Sequence, residues 1–237
     1  MRTLAAAVLA VSVALTAGCA SAPPPVSEKV AAAYADRTNP PAETEYTLVT
    51  VVGDSYTAGS NMGGLTTTNW TSLVSSDLKS AGDFDISRAA AGGSGYVIRG
   101  PKDTVFSELL PSAIGPKSDL VVFFGSINDR AASPEQVGSA ATAAYADTKR
   151  RAPKAKILVI GPAWRNADVP PEILANRDAL REAARKAGAS WVDPISERWF
   201  FDQPALIGSD KIHPTDEGHA YMKTRILPHI QKALKVS

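Results

Sequence analysis

From residue 46 onward the sequence predicts an α/β domain, a three-layer αβα sandwich built on a mostly parallel sheet of about five strands. Two observations carry this expectation. Short runs rich in β-branched and aromatic residues recur along the chain, and most lack polar alternation, as strands buried on both faces require. Between them lie longer segments with apolar residues at helical spacing, and parallel strands need such crossovers. Composition agrees: 44% hydrophobic and 21% charged side chains can fill a core, while 17 glycines and 17 prolines are too few for a collagen-like or low-complexity chain.

The first strand is predicted at Thr47-Leu48-Val49-Thr50-Val51-Val52, ending at Gly53. Further buried strands are expected at Phe84–Ser87, Leu120–Phe124 and Ile157–Ile160, with a shorter one at Ser190–Val192. Ser133-Pro134-Glu135-Gln136 forms a capping box with proline at the first helical position, and Val137, Ala140, Ala141, Ala144 and Tyr145 follow on one face. A second helix begins after Pro170-Pro171, aligns Ile173, Leu174, Leu180, Ala183 and Ala184, and stops at Gly188. The last starts near Thr215, buries Ile226, Leu227, Ile230 and Leu234, and carries Pro228 as an expected kink.

The N-terminus reads as an address. Residues 1–18 carry one early cation, Arg2, an apolar run from Leu4 to Leu15, and then small residues, the pattern of a signal peptide for export. The run is too short to span a membrane, which needs about 20 residues. The sole cysteine, Cys19, follows Leu15-Thr16-Ala17-Gly18, which resembles the lipobox of bacterial lipoproteins, with Thr16 in place of the usual aliphatic residue. That resemblance implies lipidation at Cys19 and an extracytoplasmic domain anchored to the cell membrane; plain secretion is the alternative. Residues 19–45, rich in Pro, Ala, Ser and Thr, then form a tether, and residues 46–237 the domain. Removing residues 1–18 takes away Arg2 and no acid, leaving basic and acidic side chains balanced, so membrane attachment has to come from acyl chains. The formal charge of +1 and the lack of a basic stripe argue against nucleic acid as a partner.

Ligands of parallel sheets collect beyond the carboxyl ends of the strands. There the sequence holds Gly53-Asp54-Ser55-Tyr56-Thr57-Ala58-Gly59, Ala91-Gly92-Gly93-Ser94-Gly95 and Gly125-Ser126-Ile127-Asn128-Asp129, with Asp210-Lys211-Ile212-His213-Pro214 before the last helix. A serine hydroxyl becomes a nucleophile when a base takes its proton, and an imidazole, with an ordinary pKa of about 6.5, suits that task. Ser55 and His213 fit these parts, and Asp210, three residues before His213, can fix the imidazole tautomer.

Together the four segments resemble the four blocks of the SGNH (GDSL-type) hydrolase family, in the expected order and over nearly all of residues 46–237. The resemblance implies a flavodoxin-like fold, with Ser55 as nucleophile, His213 as general base and then acid, and Asp210 as its orienting partner. It also implies an oxyanion hole made by the backbone N–H of Ser55, that of the second-block glycine, and the side-chain amide of Asn128. Spacing from the preceding strand favours Gly93, with Gly92 and Gly95 as alternatives. Two positions depart from the family pattern: Ser126 stands where a glycine is usual, and Arg88 where an asparagine is often found. Asp54 is expected to stabilise the turn. Helix position with charge or solvent exposure is taken to explain His219 and His229, which stay outside the site.

Rival chemistries fit less well. A metal site from Asp210, His213, Asp216 and His219 has its histidines six residues apart, unlike His-Glu-x-x-His, and a lone cysteine makes no structural zinc site. Gly92-Gly93-Ser94-Gly95-Tyr96 fails the Gly-x-Ser-x-Gly elbow at its last position, and no dinucleotide fingerprint is present. The expected activity is therefore a serine esterase, needing no cofactor and no metal, that cleaves an O-acyl ester on a cell-envelope glycan, glycolipid or lipid through an acyl-enzyme. An O-acyltransferase with the same residues, or a noncatalytic glycan-binding lipoprotein, is the alternative. Trp164, after the fourth strand, is placed to stack on a sugar or border an acyl pocket, unless it is a partly buried loop residue, and Asn61-Met62-Gly63-Gly64 to form a flexible rim.

Overall fold

The computed structural model describes residues 45–79 and 81–236. The signal peptide, Cys19 and the tether lie outside the described residues, apart from Glu45. Five strands, β1 (Thr47–Gly53), β2 (Phe84–Ala90), β3 (Leu120–Phe124), β4 (Lys156–Ile160) and β5 (Ser190–Val192), form one parallel sheet in the order β2-β1-β3-β4-β5. Among the described residues six α-helices accompany them: α1 (Ser55–Ala58), α2 (Trp70–Leu78), α3 (Phe106–Ala113), α4 (Pro134–Arg151), α5 (Pro171–Lys186) and α6 (Asp216–Leu234).

The two-residue period of the strands divides the core. Val49, Val51, Leu120, Val122, Phe124, Leu158 and Ile160 face one side, where they pack with Trp70 and Val74 of α2 and with Met222, Ile226 and Ile230 of α6. Val52, Val121, Phe123, Ile157 and Val159 face the other, against Phe106 and Leu110 of α3, Val137, Ala141 and Tyr145 of α4, and Leu180 and Ala184 of α5. This is the three-layer sandwich that the alternation of elements predicts.

Cap chemistry sets the helix starts as expected. Ser133 Oγ accepts from the Gln136 amide at 3.3 Å while Gln136 Oε1 accepts from the Ser133 amide at 3.0 Å. Thr215 Oγ1 accepts from the Gly218 amide at 3.1 Å and opens α6, which continues through Pro228 to Leu234. One expectation needs correcting: β2 is not a buried strand. It forms an edge, continues to Ala90, and exposes Asp85, Ser87 and Arg88, because only β1 flanks it.

The strand order reverses direction at β1 and β3, the switch point where parallel sheets open a crevice. Gly53 pairs with Ala90 on one side and Phe124 on the other, so the segments starting at residues 54, 91 and 125 leave the sheet at one level.

Candidate active site

Ser55 opens α1 directly after β1 and is buried. Asp54 builds this turn, its Oδ1 accepting from the Tyr56 amide at 2.9 Å, so the expected turn-stabilising role is a helix cap. The Ser55 N–H, at the first helical position, has no partner within the helix. Beside it runs the second loop: the Cβ that Gly92 lacks would stand 3.8 Å from Ser55 Cβ. The backbone at Gly92 therefore passes close to the serine. Gly93 has φ +77° and a Cβ there would lie 2.8 Å from Pro101 Cδ, so a larger residue is strained. The Gly95 N–H is committed to Ile98 O at 2.9 Å, which removes that glycine as an oxyanion donor.

Asp210 and His213 come from the segment that enters α6. Asp210 Oδ1 accepts from the amides of Ile212 and His213 at 2.9 and 3.0 Å, and its Oδ2 lies 2.6 Å from His213 Nδ1. One carboxylate thus folds the loop and holds the ring. Partial burial opposes its ionisation, but hydrogen bonds from the His213 ring and from the two amides outweigh it and keep the Asp210 carboxyl below its ordinary range. Tyr56 fastens this loop to the first, its hydroxyl donating to Ile212 O at 2.6 Å. Among the described residues no hydrogen bond joins Ser55 Oγ to the His213 ring; such contacts commonly tighten only when substrate binds.

The third segment is knitted to the other two by buried carboxylates. Ser126, in the position where the family pattern has glycine, donates from Oγ to Asp54 Oδ2 at 2.8 Å, lies 3.1 Å from Ser94 O, and accepts from the Asn128 amide at 3.0 Å. Asn128 Nδ2 donates to Ser94 O at 2.8 Å and stands 3.4 Å from Asp54 Oδ2. Asp129 accepts from the amides of Tyr96, Val97 and Ile98 at 2.8 to 3.0 Å, organising the second loop. Burial raises the Asp54 carboxyl from 3.8 to about 6, although the Tyr56 amide and the Ser126 hydroxyl pull it down. Ser126→Ala removes a donor from this carboxylate, and we expect a stability loss of about 1–3 kcal/mol at pH 8, where Asp54 is ionised. The loss read by urea unfolding should shrink at pH 5; equal losses at both pH values would show that the hydroxyl does not stabilise the charge.

Two further expectations are corrected, those for His219 and for Asn61–Gly64. His219 is not explained by charge or exposure: it is fully buried, its Nδ1 accepts from the Trp70 amide at 3.4 Å, its Nε2 has no hydrogen-bond partner within the protein, and burial lowers its pKa to about 4. The Asn61–Gly64 segment is no flexible rim, since Ser60 and Gly63 bridge and the Gly64 amide donates to Asp216 Oδ1 at 2.8 Å. Trp164 is the half-buried loop residue of its second reading: it donates from Nε1 to Asp168 O at 2.9 Å and has the Arg165 guanidinium 5.2 Å from its ring centroid, over one face. Sequence reasoning also passed over Tyr56 and the anchoring role of Asp129. The signal for Tyr56 was a phenol next to a buried strand end, where the hydroxyl needs a partner.

Comparison with known proteins agrees with this geometry. Residues 51–221 match the model of the GDSL-like Lipase/Acylhydrolase family. The chain is 42% identical over 204 residues to GDSL lipase Rv0518 of Mycobacterium tuberculosis, covering 82% of this chain and 87% of that protein. Among solved structures it resembles TesA, with a TM-score of 0.68 at 21% identity over 79% of this chain and all of the other. It likewise resembles the psychrotrophic esterase EstA from Pseudoalteromonas sp., with a TM-score of 0.64 at 14% identity over 80% of this chain and 99% of that one. At such identities the structures speak for the fold, and the family rests on the sequence matches. With Ser55, the Asp210–His213 pair and the glycine and Asn-Asp loops gathered at the switch point of a matching fold, the chain belongs to the GDSL-like lipase/acylhydrolase family of serine ester hydrolases.

Proposed function

We propose that this protein hydrolyses an O-acyl ester through an acyl-enzyme on Ser55. The observation that carries the reading is the 2.6 Å contact between His213 Nδ1 and Asp210, on a loop that Tyr56 fastens to the helix bearing Ser55. With Nδ1 committed to Asp210, Nε2 is the ring nitrogen that takes the Ser55 proton as Oγ attacks the carbonyl carbon. The oxyanion then accepts from the backbone N–H groups of Ser55 and Gly93 and from Asn128 Nδ2. Of the two Asn128 amide protons one is committed to Ser94 O at 2.8 Å, while the other meets Asp54 Oδ2 only at 3.4 Å and is the one assigned to the oxyanion. Collapse of the tetrahedral intermediate expels the alcohol, which takes its proton from His213. Water, deprotonated by the same ring, then cleaves the acyl-enzyme, releases the acid and restores Ser55.

The setting belongs to the same proposal. Residues 1–18 and Cys19 support export and lipid anchoring, which favours an acylated glycan, glycolipid or lipid of the cell envelope as substrate. The likeness to a protein named as a lipase supports an acyl ester too. Turnover of p-nitrophenyl esters from acetyl to palmitoyl tests the activity, and the chain-length profile separates a deacetylase from a lipase. Transfer to an added sugar exceeding hydrolysis would favour an acyltransferase. No turnover at any chain length, with glycan binding intact, would replace the reading by a binding protein. For the anchor, Cys19→Ala should abolish metabolic labelling with a fatty acid; unchanged labelling would remove the lipoprotein proposal.

A further inference from the structure

Beside the Asp210–His213 loop lies a cavity of about 490 Å³. Its walls come from the loop after β4, through Arg165 and Asn166, and from the segment leading to His213, through Asp202, Gln203, Ser209 and Lys211. The cavity shares a loop with His213, whereas the Gly92–Gly93 peptide and Asn128 belong to the other two loops around Ser55. In ester cleavage by this chemistry the histidine must reach the leaving oxygen to protonate it, so the alcohol portion lies on the histidine side. The acyl carbonyl oxygen faces the oxyanion donors.

The cavity's charge is lopsided. Asp202 is answered by Arg198 at 3.0 Å, while no carboxylate lies within ion-pair distance of Arg165 or Lys211 among the described residues. Asn166, on the same wall as Arg165, has its Oδ1 buried and without a hydrogen-bond partner within the protein. Lys211 holds a left-handed conformation, φ +61°, which a non-glycine residue adopts at a conformational cost two residues before His213.

We propose that this cavity receives the alcohol portion of the substrate and that Arg165 and Lys211 bind an anionic group on it, a phosphate or a carboxylate. The assignment rests on the reading of Ser55 as nucleophile and His213 as its base. A bidentate guanidinium suits either anion, and Lys211 adds a point charge.

Matched esters carrying one acyl group on glycerol, glycerol phosphate or glycerate test it. We expect the intact protein at low ionic strength to favour at least one charged alcohol over glycerol by about tenfold or more in kcat/KM, fading with added salt. The ratio should fall toward one in Arg165→Gln combined with Lys211→Asn, and Arg165→Lys should recover part of it. Preference for the phosphate or carboxylate ester identifies the anion. Equal rates on charged and neutral esters, or a preference untouched in the double variant, would overturn the inference while leaving the esterase reading intact. Calorimetric titration with glycerol phosphate, glycerate and glycerol reads the cavity without turnover. Tighter binding of an anion than of glycerol, weakened about tenfold in Arg165→Gln, supports the inference even if no ester is hydrolysed. No difference between the anions and glycerol overturns it.

Discussion

Ser55→Ala should lower turnover on the preferred ester by about ten-thousand-fold or more, to the level that binding and the oxyanion donors sustain alone. The second element of the same unit is Asp210. It ties down the His213 ring through Nδ1 and also accepts from two backbone amides, so Asp210→Asn keeps a side chain of the same shape but presents the wrong donor or acceptor to one of them. Its expected effect is a loss of about hundredfold to ten-thousand-fold in kcat with a smaller change in KM, because imidazole orientation matters most when the ring becomes charged. Combining both substitutions should cost little more than Ser55→Ala, since the residues act as one unit. Steady-state kinetics at equal folded fraction checks both. Additive losses would place Asp210 outside the proton relay.

The second large effect concerns stability and pH, and it arises from two buried groups with opposed signs. His219 has its pKa lowered by burial from 6.5 to about 4. It therefore favours the folded state above pH 6.5 and loses that contribution as pH falls toward 4, about 3 kcal/mol in all. Asp54, raised by burial from 3.8 to about 6, behaves in reverse. Its contribution is full below pH 3.8 and is lost as pH rises through 6, again about 3 kcal/mol. On acidification from pH 7 to 4 the two nearly cancel. Replacing one exposes the other: relative to the parent, His219→Asn should gain about 3 kcal/mol across this range and Asp54→Asn should lose about as much. Asparagine at 219 can still accept from the Trp70 amide, and the pH slope, not the absolute stability, is the readout. Urea unfolding at intervals between pH 4 and 8 measures both slopes. Parallel curves for the parent and either variant would show that the replaced group does not titrate as its burial requires.

The parts of this protein that local chemistry specifies are legible in its sequence. Leu120–Phe124 and Ser190–Val192 are strands over their whole predicted lengths, because continuous apolar or β-branched runs have few other uses at that length. The Ser133 capping box and the Thr215 start are read from side chains that act within four residues. Arg88-Ala89-Ala90 is strand only through its pairing with Val51-Val52-Gly53, a tertiary contact that its composition does not advertise. Trp70–Leu78 and Phe106–Ala113 went unread, the first rich in Ser and Thr and the second carrying Pro111, so packing against the sheet overrides weak local preference.

The site divides along the same line. Ser55, Asp210 and His213 lie in short motifs whose residue types suit one chemistry. The bonds that hold those motifs together span long sequence separations: Tyr56 to Ile212, Ser126 to Asp54, and Asp129 to Tyr96, Val97 and Ile98. Ser126 looked like a flaw in the third block because its partner, Asp54, is 72 positions away. His219 looked exposed because the helix pattern places it in the first turn, whereas Gly64 backs directly onto its ring.

The most direct test of the covalent role of Ser55 uses a p-nitrophenyl alkylphosphonate, whose phosphorus forms a bond to the nucleophile and stops at a tetrahedral adduct. Release of p-nitrophenolate should end near one equivalent per chain, with the phosphonyl mass on the peptide containing Ser55, esterase turnover lost in proportion, and neither signal in Ser55→Ala. Stoichiometric labelling of a different residue, or full turnover surviving complete labelling of Ser55, would contradict the mechanism.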